Sequence, residues 1–186
     1  MRNILAALAL LSFSQAHAQD ISAQIAEIAG RDLVKAALAA EAALSSPSAT
    51  TRSLALEATL KSTDGRVRSI GYTYLIDKHK QIVFNVELPQ GFGKTASGNS
   101  FEQVMRDNTT LTLAVDEYRS NNATFDGILR PMGRPFAGAI ARDGITITTE
   151  FSNMGCVVRM NGVEEEYLTG SMKCGTLIFK IKSALP

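Results

Sequence analysis

The stretch that decides the fold of the second half of the chain is FAGAIARDGITITTEF, from Phe136 to Phe151. Its central pair, Asp143-Gly144, suits the positive φ values of a type I′ hairpin turn. A two-residue turn at this pair would place Ile140 opposite Ile147, and the two phenylalanines at the ends opposite each other. Because side chains alternate along a strand, these four residues would share one face. The segment therefore predicts an antiparallel hairpin with one apolar face.

The same period-two alternation extends over residues 81–186, which are rich in Thr, Val, Ile, Gly and Asn. Residues 101–107 interrupt it and predict a short helical turn between strands. We therefore predict an α+β protein, in which a helical segment precedes an antiparallel β meander, sandwich or small barrel. Two predicted strands have alternate apolar residues that would face inward. These are Ile82, Phe84, Val86 and Leu88 in the first, and Leu111, Leu113 and Val115 in the second.

A short pattern recurs in the β half: a large apolar residue, a glycine and another apolar residue share one strand face. It occurs at residues 125–129, 136–140 and 168–172, with the glycines at positions 127, 138 and 170. Glycine inside a strand often marks strong curvature or the close approach of another backbone. Three such strands favour a curved sheet, such as a barrel or half-barrel.

Two cysteines, Cys156 and Cys174, are the only ones in the chain. An isolated pair usually forms a disulfide in an oxidising compartment, although two buried free thiols are the alternative. If the cysteines face each other, the connection is a wide loop centred on Glu165. A two-residue turn at Asn161-Gly162 would instead separate them by about 20 Å along the strand, too far for a bridge. We predict the bridge.

The first half of the mature chain, residues 19–80, has helical periodicity and contains a weak internal repeat with an offset of 16. The offset aligns Ser46 with Ser62 and Arg52 with Arg68. Each unit consists of a polar turn, an arginine, and then a small and apolar face.

The segments Ser-Pro-Ser-Ala-Thr-Thr-Arg-Ser-Leu-Ala-Leu and Ser-Thr-Asp-Gly-Arg-Val-Arg-Ser-Ile-Gly-Tyr resemble the turn-and-helix units of HEAT-like helical repeats. The resemblance covers about residues 31–77, with a unit shorter than the usual spacing of about 40 residues per helix pair. It implies stacked short helices of a kind that commonly binds proteins. A small helical bundle covering one face of the sheet is the alternative.

Residues 1–18 have the layout of a secretory signal peptide. Arg2 gives a positive start, residues 4–13 are almost wholly apolar, and Ala16-His17-Ala18 has the small residues that a signal peptidase recognises. The mature chain would begin at Gln19 and would carry no transmembrane anchor. Its net charge near zero argues against nucleic acid as a partner. We predict a secreted protein of bacterial type, in the periplasm or the extracellular space.

The residues offer little for catalysis. His79 is the only histidine outside the predicted signal peptide, and no spacing typical of a metal site or catalytic triad occurs. We therefore predict no catalytic residues, metal or cofactor. The sequence Gly91-Phe92-Gly93-Lys94-Thr95 lacks the first glycine of a phosphate-binding loop, so we expect a loop in which Phe92 and Lys94 are candidate contact residues.

Three functions remain open on the sequence. The first is a non-catalytic binding or adaptor protein, whose partner is another protein. The second is a carrier of a small apolar ligand inside a curved β domain. The third is an uncharacterised hydrolase.

Overall fold

The structure is a computed structural model that describes residues 20–92, 100–151 and 153–186, without the side chain of Ser100. The predicted signal peptide and Lys94 lie outside the described residues. The chain divides into two compact units, with the division between Ile70 and Gly71. Helices come first and an antiparallel barrel follows, so the predicted α+β class is confirmed and the barrel is its form.

Helices occupy most of the described chain from residue 20 to His79, as the periodicity predicted. The first, α1, covers residues 20–28. It is followed by α2 (Leu33–Leu44), α3 (Ala49–Lys61), α4 (Gly65–Tyr74) and a π-helical turn (Leu75–His79). The buried face of α2 consists of alanines and one leucine, and that of α3 of alanine, threonine and leucine, so small side chains let the two helices approach closely.

Both members of the 16-residue repeat make the same arginine contact. Nη1 of Arg52 donates to the carbonyls of Ser46-Pro47, each at 2.8 Å. Nη1 of Arg68 donates to the carbonyls of Ser62-Thr63, at 2.8 and 2.9 Å. The arginine of each unit therefore ties its helix to the turn before it. The 16-residue repeat in the sequence therefore corresponds to a repeated set of hydrogen bonds. The resemblance to HEAT-like repeats stays a prediction.

The residues that cap the N-termini of α3 and α4 follow the same 16-residue repeat. The Ser48 hydroxyl accepts from the Thr51 amide at 3.3 Å, and the Asp64 carboxylate accepts from the amides of Arg66 and Val67 at 2.8 and 3.1 Å. Side-chain oxygens at this position satisfy amides that the first helical turn leaves without partners. Each unit thus begins its helix with a capping residue four positions before its arginine.

Eight antiparallel strands close into a barrel in which each strand pairs with its neighbours in sequence and β1 pairs with β8. A helix, α5 (Ser100–Asp107), lies between β1 and β2, as predicted. Alternate residues of the strands fill the interior, so the predicted inward positions from Ile82 to Val86 and from Leu111 to Val115 are confirmed. The strands are β1 (Gln81–Glu87), β2 (Thr110–Arg119), β3 (Thr124–Arg130), β4 (Arg134–Ala141), β5 (Gly144–Phe151), β6 (Met154–Glu164), β7 (Tyr167–Cys174) and β8 (Leu177–Ala184).

Three inward-facing glycines make room for neighbouring atoms, as their pattern predicted. Gly138 lies opposite Phe125, and a Cβ atom there would be 2.3 Å from the Phe125 ring. A Cβ atom at Gly127 would be 2.0 Å from the Ala114 carbonyl oxygen, and one at Gly170 would be 1.9 Å from a backbone carbonyl. The strands can bend this tightly because these three positions carry no side chain.

The hairpin of β4 and β5 has the predicted faces in a different register. Phe136 and Ile147 are buried on the inner side, as expected. The predicted pairing was wrong by two residues, since Ala141 pairs with Gly144 and the turn is Arg142-Asp143. The reason lies in β6, because a Cβ atom at position 144 would be 2.4 Å from the Met160 carbonyl oxygen. Gly144 is thus needed inside the strand, and the shift of two keeps the inner face unchanged.

The hairpin of β6 and β7 carries the predicted disulfide. Cys156 and Cys174 are directly opposite, with a Cα–Cα distance of 4.2 Å. The expected wide loop was wrong, because Glu164 pairs with Tyr167 and the turn contains two residues. An irregularity between Met160 and Gly162 absorbs the extra residue, so both strands continue past the disulfide to the exposed tip.

Candidate binding groove at the barrel seam

The junction of β1 and β8, which we call the seam, is the shortest pairing in the barrel. It has three residue pairs, from Asn85 opposite Lys182 to Glu87 opposite Lys180. The other neighbouring strands pair over five to eight residues. Residues 81–84 of β1 pair with β2 on one side only, and among the described residues β8 supplies no partner on the other side. The ladder between β1 and β8 therefore ends earlier than the ladder between β1 and β2.

Alternation of the backbone fixes which groups face the opening. The Lys80 carbonyl accepts from Val115 at 2.8 Å, and the Val86 amide donates to Thr109 at 2.7 Å, so both residues face β2. Backbone groups of an antiparallel strand point to its two sides in turn. Gln81 and Val83 therefore direct their N–H and C=O groups toward the open seam.

The β8 side of the opening cannot continue the ladder past Ala184. The Leu185 amide donates to the Glu166 carbonyl at 2.9 Å, so Ala184 and Pro186 face the seam instead. In the register of the existing pairs, Pro186 would lie opposite Gln81. Proline has no backbone N–H and ends strand pairing. The Ala184 carbonyl accepts a bond of 3.3 Å from the Ser183 hydroxyl, which occupies one of its lone pairs.

The opening forms a groove of about 260 Å³, which we call the seam groove. Val83 and Tyr167 are exposed at its rim, at 48% and 43% of their surface, although both carry large apolar groups. Its inner wall consists of buried aliphatic side chains. The groove is lined by Leu75, Gln81, Ile82, Val83, Asn85, Tyr167, Leu168, Ser183, Ala184, Leu185 and Pro186.

Charges beside the groove are unevenly distributed. The end of β6 and the turn after it carry Glu164, Glu165 and Glu166, all exposed, and the first of these pairs with Tyr167 at the rim. On the β1 side, the nearest cation in the sequence is Lys80, also exposed. One wall of the groove is therefore flanked by negative charge.

A second charged cluster lies on the outer face of β2 and β3. Arg119 donates to Glu117 at 2.6 Å and also to Asp126. These bonds, that to Asp126 first, raise the pKa of Arg119 above its usual value. The cluster holds one cation between two carboxylates at the surface, so it stabilises the outside of the barrel weakly and offers no reactive group.

The residues predicted from sequence as sites are not brought together. Phe92 packs edge-on against Phe179 with a centroid distance of 5.3 Å, so its role as a contact residue stays a prediction. The ring of His79 packs edge-on against Tyr74. Over the residues that the structure covers, no group of three or more His, Cys, Asp or Glu could hold a metal, and no helix is long and apolar enough to cross a membrane.

Sequence reasoning missed the seam groove. Its one sequence signal is Val83, an aliphatic residue at an outward position of a strand whose other outward residues, Asn85 and Glu87, are polar. No protein-family model, curated protein or solved structure matches this chain. The functional argument therefore rests on the site itself.

Proposed function

We propose that this protein is an exported, non-catalytic binding protein that holds other polypeptides at the seam groove. The observation that carries the proposal is a pair of strand residues, Gln81 and Val83, which pair with β2 on one side and, among the described residues, have no ladder partner in β8 on the side that faces the apolar groove. Exposed strand edges are the sites at which another polypeptide chain adds to a sheet. The exposed Tyr167 ring beside them supports the same interpretation, because amphipathic aromatic residues are enriched at protein interfaces.

The filled interior favours this function over the carrier of a small apolar ligand. Ligand pockets have volumes of about 300 Å³ or more. The described strands instead direct large side chains inward, and Phe84, Phe125, Phe151 and Phe179 are each at most 1% exposed. The seam groove is smaller than such a pocket and opens to the outside, where a polypeptide can reach it.

Export to the periplasm or extracellular space belongs to the same proposal. The signal-like layout of residues 1–18 supports it, and so does the Cys156–Cys174 disulfide, since disulfides persist in oxidising compartments. N-terminal sequencing of protein purified from the envelope fraction is expected to begin at Gln19. Protein recovered only from the cytoplasm, with Met1 or Arg2 still present, would contradict export.

The binding function is tested by selecting peptides from a random displayed library on the mature protein. Val83→Asp places a charge at the groove rim, and we expect it to abolish enrichment of the selected peptides. Ile178→Asp is the matched control, because Ile178 is an exposed aliphatic residue of β8 outside the groove lining. Equal enrichment on the two variants, or no enrichment on the unaltered protein, would refute the proposal.

A further inference from the structure

We propose that the outer surface of β6, β7 and β8 binds the phosphate groups of anionic phospholipids, so that the barrel attaches to the surface of a membrane. We call this surface the basic face. It consists of Arg159, Ser171, Lys173, Ile178, Lys180 and Lys182. None of these residues lines the seam groove, so the inference does not depend on the proposed binding function.

The register of the three strands gathers cations around one hydroxyl group. Ser171 of β7 lies directly opposite Arg159 on one side and directly opposite Lys180 on the other. Neighbouring strands are about 4.8 Å apart, and residues two positions apart on a strand are about 7 Å apart, so Lys173 also borders Ser171. An anion at Ser171 therefore has positively charged residues on three sides.

The charge of the basic face is largely uncompensated. Among the described residues, Lys182 approaches Glu87 of β1 at 3.9 Å, whereas Arg159, Lys173 and Lys180 form no ion pair. The chain as a whole has 19 basic and 18 acidic residues, so the excess of positive charge is local. Like charges at this separation repel one another, and an anion among them lowers that repulsion.

The groups around Ser171 match a phosphate. A guanidinium such as that of Arg159 can bind two phosphate oxygens through parallel hydrogen bonds, and the ammonium of a lysine binds them as a point charge. The Ser171 hydroxyl is half-buried and makes no hydrogen bond to another described residue, so it can donate to a further oxygen. The three side chains together offer donors from both neighbouring strands to one tetrahedral anion.

An exposed aliphatic side chain indicates that the phosphate belongs to a lipid. Ile178 is 63% exposed, more than any other large apolar residue of the described barrel, and it lies directly opposite Lys173. Val157, which is half-buried, lies opposite Lys173 on the other side. A free phosphate ion gains nothing from aliphatic neighbours. At a membrane they enter the boundary between headgroups and acyl chains while the flanking cations contact phosphates.

The test measures sedimentation of the mature protein with vesicles of equal parts phosphatidylglycerol and phosphatidylcholine, and with vesicles of phosphatidylcholine alone. We expect binding to the anionic vesicles that weakens as salt is added, because the contacts are exposed, and little binding to the neutral vesicles. Equal binding to both kinds of vesicle, or binding to neither, would overturn the inference.

Charge variants test whether the basic face is the surface that binds. Arg159→Gln and Lys180→Gln should each weaken binding to the anionic vesicles about fivefold. Arg130→Gln is the matched control, because it removes the same charge from an exposed residue of β3, which three strands separate from β7 in either direction. Equal weakening by Arg130→Gln would indicate attraction by net charge alone and would refute the assignment.

Ser171→Glu tests the centre of the face without loss of the fold. Its carboxylate would lie between Arg159 and Lys180, where opposite charges on neighbouring strands stabilise a sheet. We therefore expect an unchanged or higher Tm together with the loss of vesicle binding. Binding that persists in this variant would contradict the inference.

The aliphatic contact separates a lipid from a free ion. Ile178→Ser should weaken vesicle binding at low and high salt alike, since its contribution is not electrostatic. Leu38→Ser is the matched control, because Leu38 of α2 is 62% exposed and lies outside the barrel. Unchanged binding by Ile178→Ser would overturn the lipid assignment. So would a rise in Tm with inorganic phosphate, relative to chloride at the same ionic strength, in a protein that binds no vesicles.

Discussion

Gly138→Ala tests whether the barrel closes because Phe125 packs over a position without a side chain. The added Cβ atom would lie 2.3 Å from the ring, against an ordinary contact distance of 3.4 to 4 Å. The ring would have to move by more than 1 Å, yet Phe125 is 1% exposed and packs against the Phe136 ring at a centroid distance of 6.0 Å. The backbone at Gly138 does not have a left-handed φ, so the clash is the only native-state cost.

The expected loss follows from two opposing effects. Overpacking a well-packed core costs about 1–3 kcal/mol, whereas Gly→Ala stabilises by about 0.4–1 kcal/mol through the unfolded chain. We therefore expect Gly138→Ala to lower the free energy of unfolding by about 1–2 kcal/mol. At this chain length that corresponds to a fall in Tm of about 3–8 °C.

A double-mutant cycle measured by urea unfolding attributes the loss to the ring. In a Phe125→Leu background, Gly138→Ala should cost less than about 0.5 kcal/mol, because the shorter side chain vacates the space. Gly155→Ala is the matched control, since no atom lies within 4 Å of its added Cβ. A Gly138→Ala loss that persists in the Phe125→Leu background, or an equal loss for Gly155→Ala, would refute the reasoning.

Three further predictions concern the helices and the disulfide. Arg68→Lys should lower the free energy of unfolding of the helical unit by about 1–2 kcal/mol, because the shorter lysine side chain does not place its ammonium where Nη1 of Arg68 donates to two carbonyls. Arg66→Lys, at an exposed position of the same helix, should change the free energy of unfolding little, and both variants are compared by thermal unfolding followed by circular dichroism. Asp64→Ala should lower the free energy of unfolding by about 1 kcal/mol in the same assay, and Asp64→Asn should lower it clearly less because asparagine keeps a capping oxygen. Equal losses for the two variants would argue against capping. Replacing Cys156 and Cys174 by alanine should cost about 3 kcal/mol in urea unfolding, as expected for a loop that spans a sequence separation of 18, and an unchanged midpoint would contradict it.

Local patterns predicted much of the fold because they depend on neighbours in the sequence. The alternation around Phe84 identifies the inner face of β1, and an isolated pair of cysteines in a chain with a predicted signal peptide indicates the disulfide. The predicted register of the β4–β5 hairpin was wrong because the position of Gly144 depends on the Met160 carbonyl of another strand. No local sequence pattern reveals that contact. Turn chemistry alone placed the turn one residue too late, which shifts every pairing in the hairpin by two residues.

The seam groove could not be predicted from the sequence for a related reason. The register of β1 against β8 depends on the registers of all the intervening strands, including irregularities after Val115 and after Met160. A single residue gained or lost in any of them would move Pro186 relative to Gln81. The sequence indicates only that Val83 is an unusual outward residue.

The three pairs of the seam also bear on how the barrel assembles. They join segments about a hundred residues apart, so their formation requires the largest loss of chain entropy of any strand pairing in the fold, and few hydrogen bonds compensate it. We expect this junction to form last during folding and to open first under denaturing conditions. Native-state amide exchange in low denaturant should therefore show the amides of Asn85 and Glu87, which pair with β8, opening before those of the other strand pairs.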